Sequence, residues 1–158
     1  LFLILGLKAQ AQENPIPYRS AYVELGGAGL AYSFNYDFRF DKSRMDSWGM
    51  RIGAGGYGLD GDSFFSFPVM VNKLYGKGPH YFEMGAGANF LVADFDNGVG
   101  VFDKPEIAKW EGWSGTISLG YRYHPVGGGF LFRAGFTPIV KSGEFNPFWP
   151  QVSFGYAF

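Results

Sequence analysis

The chain has 158 residues, 25 Gly, no Cys and a formal net charge of −1, with 47% hydrophobic, 20% aromatic and 17% charged residues. That length fits one domain, the balanced charge gives no electrostatic reason for a nucleic-acid partner, and the lack of Cys removes disulfides, thiolate metal sites and a Cys nucleophile. The mixture is too apolar for a disordered chain, yet the longest apolar run, Leu1 to Leu7 counted through Gly6, is far short of the roughly 18 residues a membrane-spanning helix needs.

Leu1 to Leu7 followed by Ala9-Gln10-Ala11 reads as the end of an apolar signal core with a small-x-small cleavage site. Residues 1–11 are therefore expected to be a signal remnant, and 12–158 a single domain. Past Tyr18 the apolar period is two, which marks strands with one apolar and one polar face. A short first strand, Ser20 to Gly26, sets Ala21, Val23 and Leu25 against Tyr22 and Glu24. The clearest window follows, Leu30 to Phe40, where Leu30, Tyr32, Phe34, Tyr36, Phe38 and Phe40 alternate with Ala31, Ser33, Asn35, Asp37 and Arg39. Further strands are predicted over Trp48 to Tyr57, Phe65 to Tyr75 and His80 to Phe90, then over Thr116 to Tyr123, Phe130 to Thr137 and Gln151 to Phe158. The total of about eight, each near the 9–11 residues that cross a bilayer as a tilted strand, suits a membrane barrel.

Turn signals separate these runs at Gly26 to Gly29, Asp41 to Ser47, Gly58 to Ser63, Gly76 to Pro79, Asp94 to Gly112, Pro125 to Gly129 and Val140 to Phe148. Short links make neighbouring strands antiparallel, and closing the first strand on the last removes both unpaired edges. The expected fold is all-β, an eight-stranded antiparallel up-and-down transmembrane β-barrel. Which face looks outward follows from composition. A water-facing surface would be studded with Lys and Glu, but the polar face here is mostly Gly, Ala, Ser, Thr and Asn, and of the Lys residues after the signal segment only Lys73 falls inside a predicted strand. The small, polar face therefore lines a narrow lumen, and the bulky face meets lipid. Aromatics at strand ends, among them Trp48, Tyr75, Tyr123 and Phe158 at one level and Phe65, Phe90, Trp113 and Trp149 at the other, suit two interfacial belts.

The last run, Val152-Ser153-Phe154-Gly155-Tyr156-Ala157-Phe158, with Val152, Phe154, Tyr156 and Phe158 alternating up to a terminal aromatic, resembles the C-terminal signal read by the outer-membrane barrel-assembly machinery of Gram-negative bacteria. With the signal segment, the whole chain is similar to small eight-stranded outer-membrane proteins of the OmpX and OmpA-barrel type. Segments such as Glu24-Leu25-Gly26-Gly27, Gly120-Tyr121-Arg122-Tyr123 and Phe132-Arg133-Ala134-Gly135-Phe136 add to that resemblance. It implies an outer-membrane location, a lipid and lipopolysaccharide environment, and both chain ends in the periplasm. Most of the long loops then face outward, as in that class.

The inward set includes Glu24, Asp37 and Glu83 against Arg39, Arg51, Arg122 and Arg133. Opposite charges in a dry, narrow lumen pair, because an uncompensated buried charge is costly, so these seven are expected to plug the barrel as an ion-pair network. His80 and His124 fall beside inferred inner turns, remote from the outer leaflet where a lipid-modifying enzyme would work, and no catalytic residue or cofactor is expected. Asp60-Gly61-Asp62 and Asp94-Phe95-Asp96-Asn97-Gly98 lack the full EF-hand spacing and read as solvated turns, with divalent bridging to lipopolysaccharide the alternative. In the long loop, Phe102, Ile107, Trp110 and Trp113 are candidate contacts for a protein partner or the outer leaflet, the alternative being a flap folded over the barrel mouth or a strand extension. The function expected is structural or loop-mediated binding. An accessory subunit of a larger outer-membrane transport or secretion complex is the alternative.

Overall fold

The computed structural model describes residues 16–59, 62–94, 109–141 and 143–158, with backbone alone at 59, 62, 109 and 110. Its strands are β1 (Arg19–Gly26), β2 (Tyr32–Arg39), β3 (Trp48–Leu59), β4 (Asp62–Lys77), β5 (His80–Asp94), β6 (Lys109–Tyr123), β7 (Gly129–Phe136), β8 (Ile139–Lys141), β9 (Glu144–Asn146) and β10 (Pro150–Ala157). Each of β1 to β7 pairs antiparallel with the next, and β10 pairs with both β7 and β1, which closes the sheet. The ten strands make eight staves. β8 carries the β7 stave onward along β6 past Thr137 and Pro138, and β9 folds back on β8. The stretch after Val140, read from the sequence as a plain loop, is thus partly a hairpin.

Period two becomes two faces, as the alternation demands. Every barrel stave turns a large apolar side chain outward into exposure, for example Leu25, Phe34, Ile52, Val69, Met84, Ile117, Phe130 and Phe154, while Ser20, Asn35, Arg51, Asn72, Glu83, Ser118, Arg133 and Ser153 are buried inside. A soluble barrel would collapse around the first set. This inverted arrangement is stable in a bilayer, where closing the ladder also removes the unpaired sheet edges. No helix among the described residues is long and apolar enough to cross a membrane.

The strands run further than their alternation suggested. β3 continues through Gly58 to Leu59, β4 reaches Lys77, and β6 begins at Lys109, so Lys77, Lys109 and Lys141 join Lys73 inside strands, each of the three at a strand end. Glycine makes some of this pairing possible. Gly120 and Gly135 face each other across β6 and β7, and a Cβ on Gly135 would lie 2.2 Å from the Leu119 carbonyl oxygen. The result is a barrel of uneven height: β1, β2, β7 and β10 have 8 residues each, against 16, 15 and 15 for β4, β5 and β6.

Candidate functional site

The lumen is filled in three tiers. At the end where the chain begins and finishes, Met45 of the β2–β3 turn folds back into the barrel against Leu74 and Tyr81, with Ile16 packed on them. Beside this plug the buried His124 ring sets Nε2 2.7 Å from the Pro17 carbonyl oxygen. Burial and the neighbouring Arg122 guanidinium depress its pKa from the ordinary 6.5 to about 4, so the ring is neutral. At the opposite end Phe64, Leu91 and Ala93 meet Leu30. There the β1–β2 turn, the 3-10 segment η1 (Gly27–Gly29), is itself buried in the lumen. The Ser66 hydroxyl donates to the Gly29 carbonyl at 3.0 Å, and the Ala28 N–H donates to Glu24 Oε1 at 3.2 Å. Leu30 exits this turn at φ 68 and ψ −85, a conformation that costs an L-residue of order 1–3 kcal/mol.

Between the plugs the seven ionisable side chains form one alternating chain. Arg39 Nη2 lies 2.6 Å from Asp37 Oδ1, and Arg122 Nη2 3.2 Å from Asp37 Oδ2. Arg122 Nε is 2.9 Å from Glu83 Oε2, whose other oxygen is 2.5 Å from Arg133 Nη2. Arg133 Nη1 then reaches Glu24 Oε2 at 3.1 Å, and Arg51 closes on Glu24 with two parallel bonds of 2.7 and 2.8 Å. Forked, bidentate contacts of this kind are what guanidinium supplies and ammonium does not, which accounts for four Arg and no Lys at these positions.

The register also recruits groups the sequence reading left out. Asn72 donates to Asp37 Oδ2 at 2.6 Å and accepts from Arg39, and the Ser153 hydroxyl lies 3.4 Å from Glu24 Oε2. Each of the eight staves therefore contributes one member or more: Glu24, Asp37, Arg51, Asn72, Glu83, Arg122, Arg133 and Ser153, from β1 to β7 and β10 in turn. Four guanidiniums against three carboxylates leave one positive charge. The Tyr22 ring meets it, with the Arg133 Cζ 4.6 Å and the Arg51 Cζ 6.0 Å from its centroid. Inward parity with polar character was the available signal for Asn72, Ser153 and Tyr22. Their partners depend on register, which local pattern does not contain.

The other candidate residues lie apart from this network. Val152, Phe154, Tyr156 and Phe158 all turn outward along the end of the chain, with Phe154 and Tyr156 exposed. Trp110 and Trp113 are in strand β6, whose pairing with β5 runs on to Asp94 and Lys109, so this part of the long segment is the strand extension and Trp113 keeps the strand-end place its spacing suggested. Trp113 is 66% exposed on the outward face, its ring centroid 5.0 Å from that of Phe90, so it belongs to the aromatic belt. Phe102, Ile107, the Asp60-Gly61-Asp62 turn, Asp96 and the signal segment lie outside the residues or side chains described. Among the described residues neither His contacts a Ser or Thr hydroxyl. His80 opens β5 facing outward with Nδ1 2.7 Å from the Tyr121 hydroxyl, and His124 contacts a backbone carbonyl.

No family model matches the chain, and no curated protein matches it. Among solved structures it is similar to the N-terminal β-barrel domain of Pseudomonas aeruginosa OprF, with a TM-score of 0.61 and 12% identity over 89% of this chain and 95% of that one. A second similar structure is the Yersinia pestis outer membrane protein Ail in a phospholipid bilayer nanodisc, at a TM-score of 0.48 and 14% identity over 87% of this chain and 98% of that one. Closure, strand count and the inverted faces agree with the OprF likeness, and the chain has the fold of the small eight-stranded outer-membrane β-barrels.

Proposed function

We propose that this protein is an outer-membrane barrel without a conducting lumen, acting as an embedded scaffold whose structural or adhesive work is done at its surface. The observation that carries this reading is the interior. An apolar plug at each end and a charge chain touching all eight staves leave no continuous aqueous path. In this reading both chain ends are periplasmic and β1 runs outward, so the tall β3 to β6 wall and the β8–β9 hairpin rise on the cell exterior. The outward alternation of Val152, Phe154, Tyr156 and Phe158 supports their role as the assembly signal.

Reconstitution into planar bilayers tests the closed lumen: the wild-type barrel is expected to give no conductance steps, and reproducible steps would overturn the reading. Gentle pull-down from native outer membranes tests its independence. Recovery as a lone monomer is expected, whereas stoichiometric recovery with a larger barrel would replace the scaffold by an accessory-subunit role.

A further inference from the structure

The rim at which the chain ends lie is electrically one-sided. Arg19, Lys42, Arg44, Lys73 and Lys77 sit on or between staves β1 to β4. The acids there are already engaged. Asp46 takes both bonds of Arg44 at 2.9 Å, and Asp41 accepts from the Ser43 N–H and hydroxyl at 2.9 and 2.6 Å, which holds its carboxyl below the ordinary range. Arg19 and Lys42 converge on one ring, that of Tyr18, with the Arg19 Cζ 4.8 Å and the Lys42 Nζ 5.4 Å from its centroid. Among the described residues neither cation has a carboxylate within ion-pair distance. Two cations gathered at one ring with no acidic partner among the described residues offer charge complementarity to an anion.

The surface next to this pair is apolar and outward-facing. Phe38 is the cross-strand partner of Arg19, and Tyr36 follows it up β2. The Tyr36 ring lies 6.1 Å from that of Phe38 and 6.4 Å from that of Phe158. Cations at the water edge of an aromatic track match the two ends of an anionic lipid. The phosphate meets Arg19 and Lys42, and the acyl chain lies along Phe38, Tyr36 and Phe158. We propose that this rim is a binding site for one anionic glycerophospholipid, with Arg19, Lys42 and Tyr18 holding the headgroup phosphate. The inference rests on the membrane reading above.

The test uses the whole chain refolded into phosphatidylcholine vesicles with and without a minor fraction of phosphatidylglycerol, and reads the unfolding temperature. The anionic lipid is expected to raise it by several degrees in the wild type, because a ligand that binds only the folded state stabilises that state. Arg19→Gln with Lys42→Gln should abolish that rise and leave the value in pure phosphatidylcholine unchanged. Lys77→Gln, an exposed cation on the same rim, should keep the rise. Equal losses in both variants would mean diffuse surface charge and would overturn the site. So would a rise of the same size produced by inorganic phosphate in detergent, which would make the ligand a free anion. A chain that never enters vesicles, judged by the absence of a heat-modifiable band, would instead sink the membrane reading itself.

Discussion

At the scale of single residues, the interior charges and the surface charges are different objects although the sequence writes them with the same letters. Glu83 is held by two guanidiniums and is buried, so Glu83→Ala takes one of their two carboxylates from each of Arg122 and Arg133 and leaves four guanidiniums to two carboxylates in the lumen. Breaking such an arrangement costs about 3–5 kcal/mol. Arg44, equally well paired to Asp46 but exposed, should lose far less on truncation to Ala, because water and salt screen a surface ion pair. Urea unfolding followed by the heat-modifiable gel shift measures both, and similar midpoints for the two variants would show that the lumen network contributes nothing. Glycine offers a second contrast. Gly27 has φ +65 and a Cβ there would sit 2.3 Å from Glu24 Oε1, whereas a Cβ on Gly58 meets nothing within 4 Å. Gly27→Ala should therefore destabilise by roughly 1–3 kcal/mol through strain and displacement of the carboxylate, and Gly58→Ala should be close to neutral in the same unfolding assay.

At the scale of elements, the staves were legible in the sequence and the plugs were not. Alternation assigned the faces of Ala21 to Leu25 and of Tyr32 to Arg39 correctly because a half-buried strand has no other way to place its apolar side chains. It stopped short of strand ends such as Gly58 to Leu59 and Lys109 to Gly112, where pairing with the neighbouring strand, not local hydrophobicity, extends the ladder. It was silent on the turns. Gly26 to Gly29 and Asp41 to Ser47 carry ordinary turn composition, which does not say that the first is buried in the lumen or that Met45 of the second packs on Leu74 and Tyr81. The seven charges were recognisable as inward from parity, but their alternating order comes from register. The inner plug has a pH signature that follows from its geometry. The folded state keeps His124 neutral with a pKa near 4, while the unfolded chain binds a proton through the ordinary 6.5. The stability this represents is present above about pH 6.5 and is lost progressively as the pH falls to about 4, in total about 3 kcal/mol. His124→Gln, which retains a donor for Pro17, should flatten that slope, and unfolding midpoints taken across the window with identical slopes for both chains would exclude His124 as its source.

At the scale of the whole molecule, the outward face defines how thick a membrane the barrel fits. On the side bearing the chain ends the band stops at cations, Arg19 on β1 and Lys73 and Lys77 on β4, and on the other side at Asp94 on β5 and Glu111 on β6. Between them the apolar run from Phe82 to Val92, at a rise of about 3.3 Å per residue and a tilt near 40°, stands roughly 25 Å tall. The strands β1, β2, β7 and β10, with 8 residues each, span only about 18 Å by the same arithmetic. The shorter wall limits the match, since lipid thicker than it must thin or expose the ends of those strands, at a fraction of a kcal/mol per Å. The taller wall has no such limit, because its surplus emerges into water with Asp94 and Glu111 at its outer edge. The barrel should accordingly be most stable in vesicles of short-chain phosphatidylcholine. Thermal unfolding in a series of increasing acyl length, with headgroup and ionic strength fixed, is expected to give a falling unfolding temperature from the dilauroyl lipid upward. A maximum at the long-chain end would mean that β3 to β6, and not the four short staves, set the depth at which the protein sits.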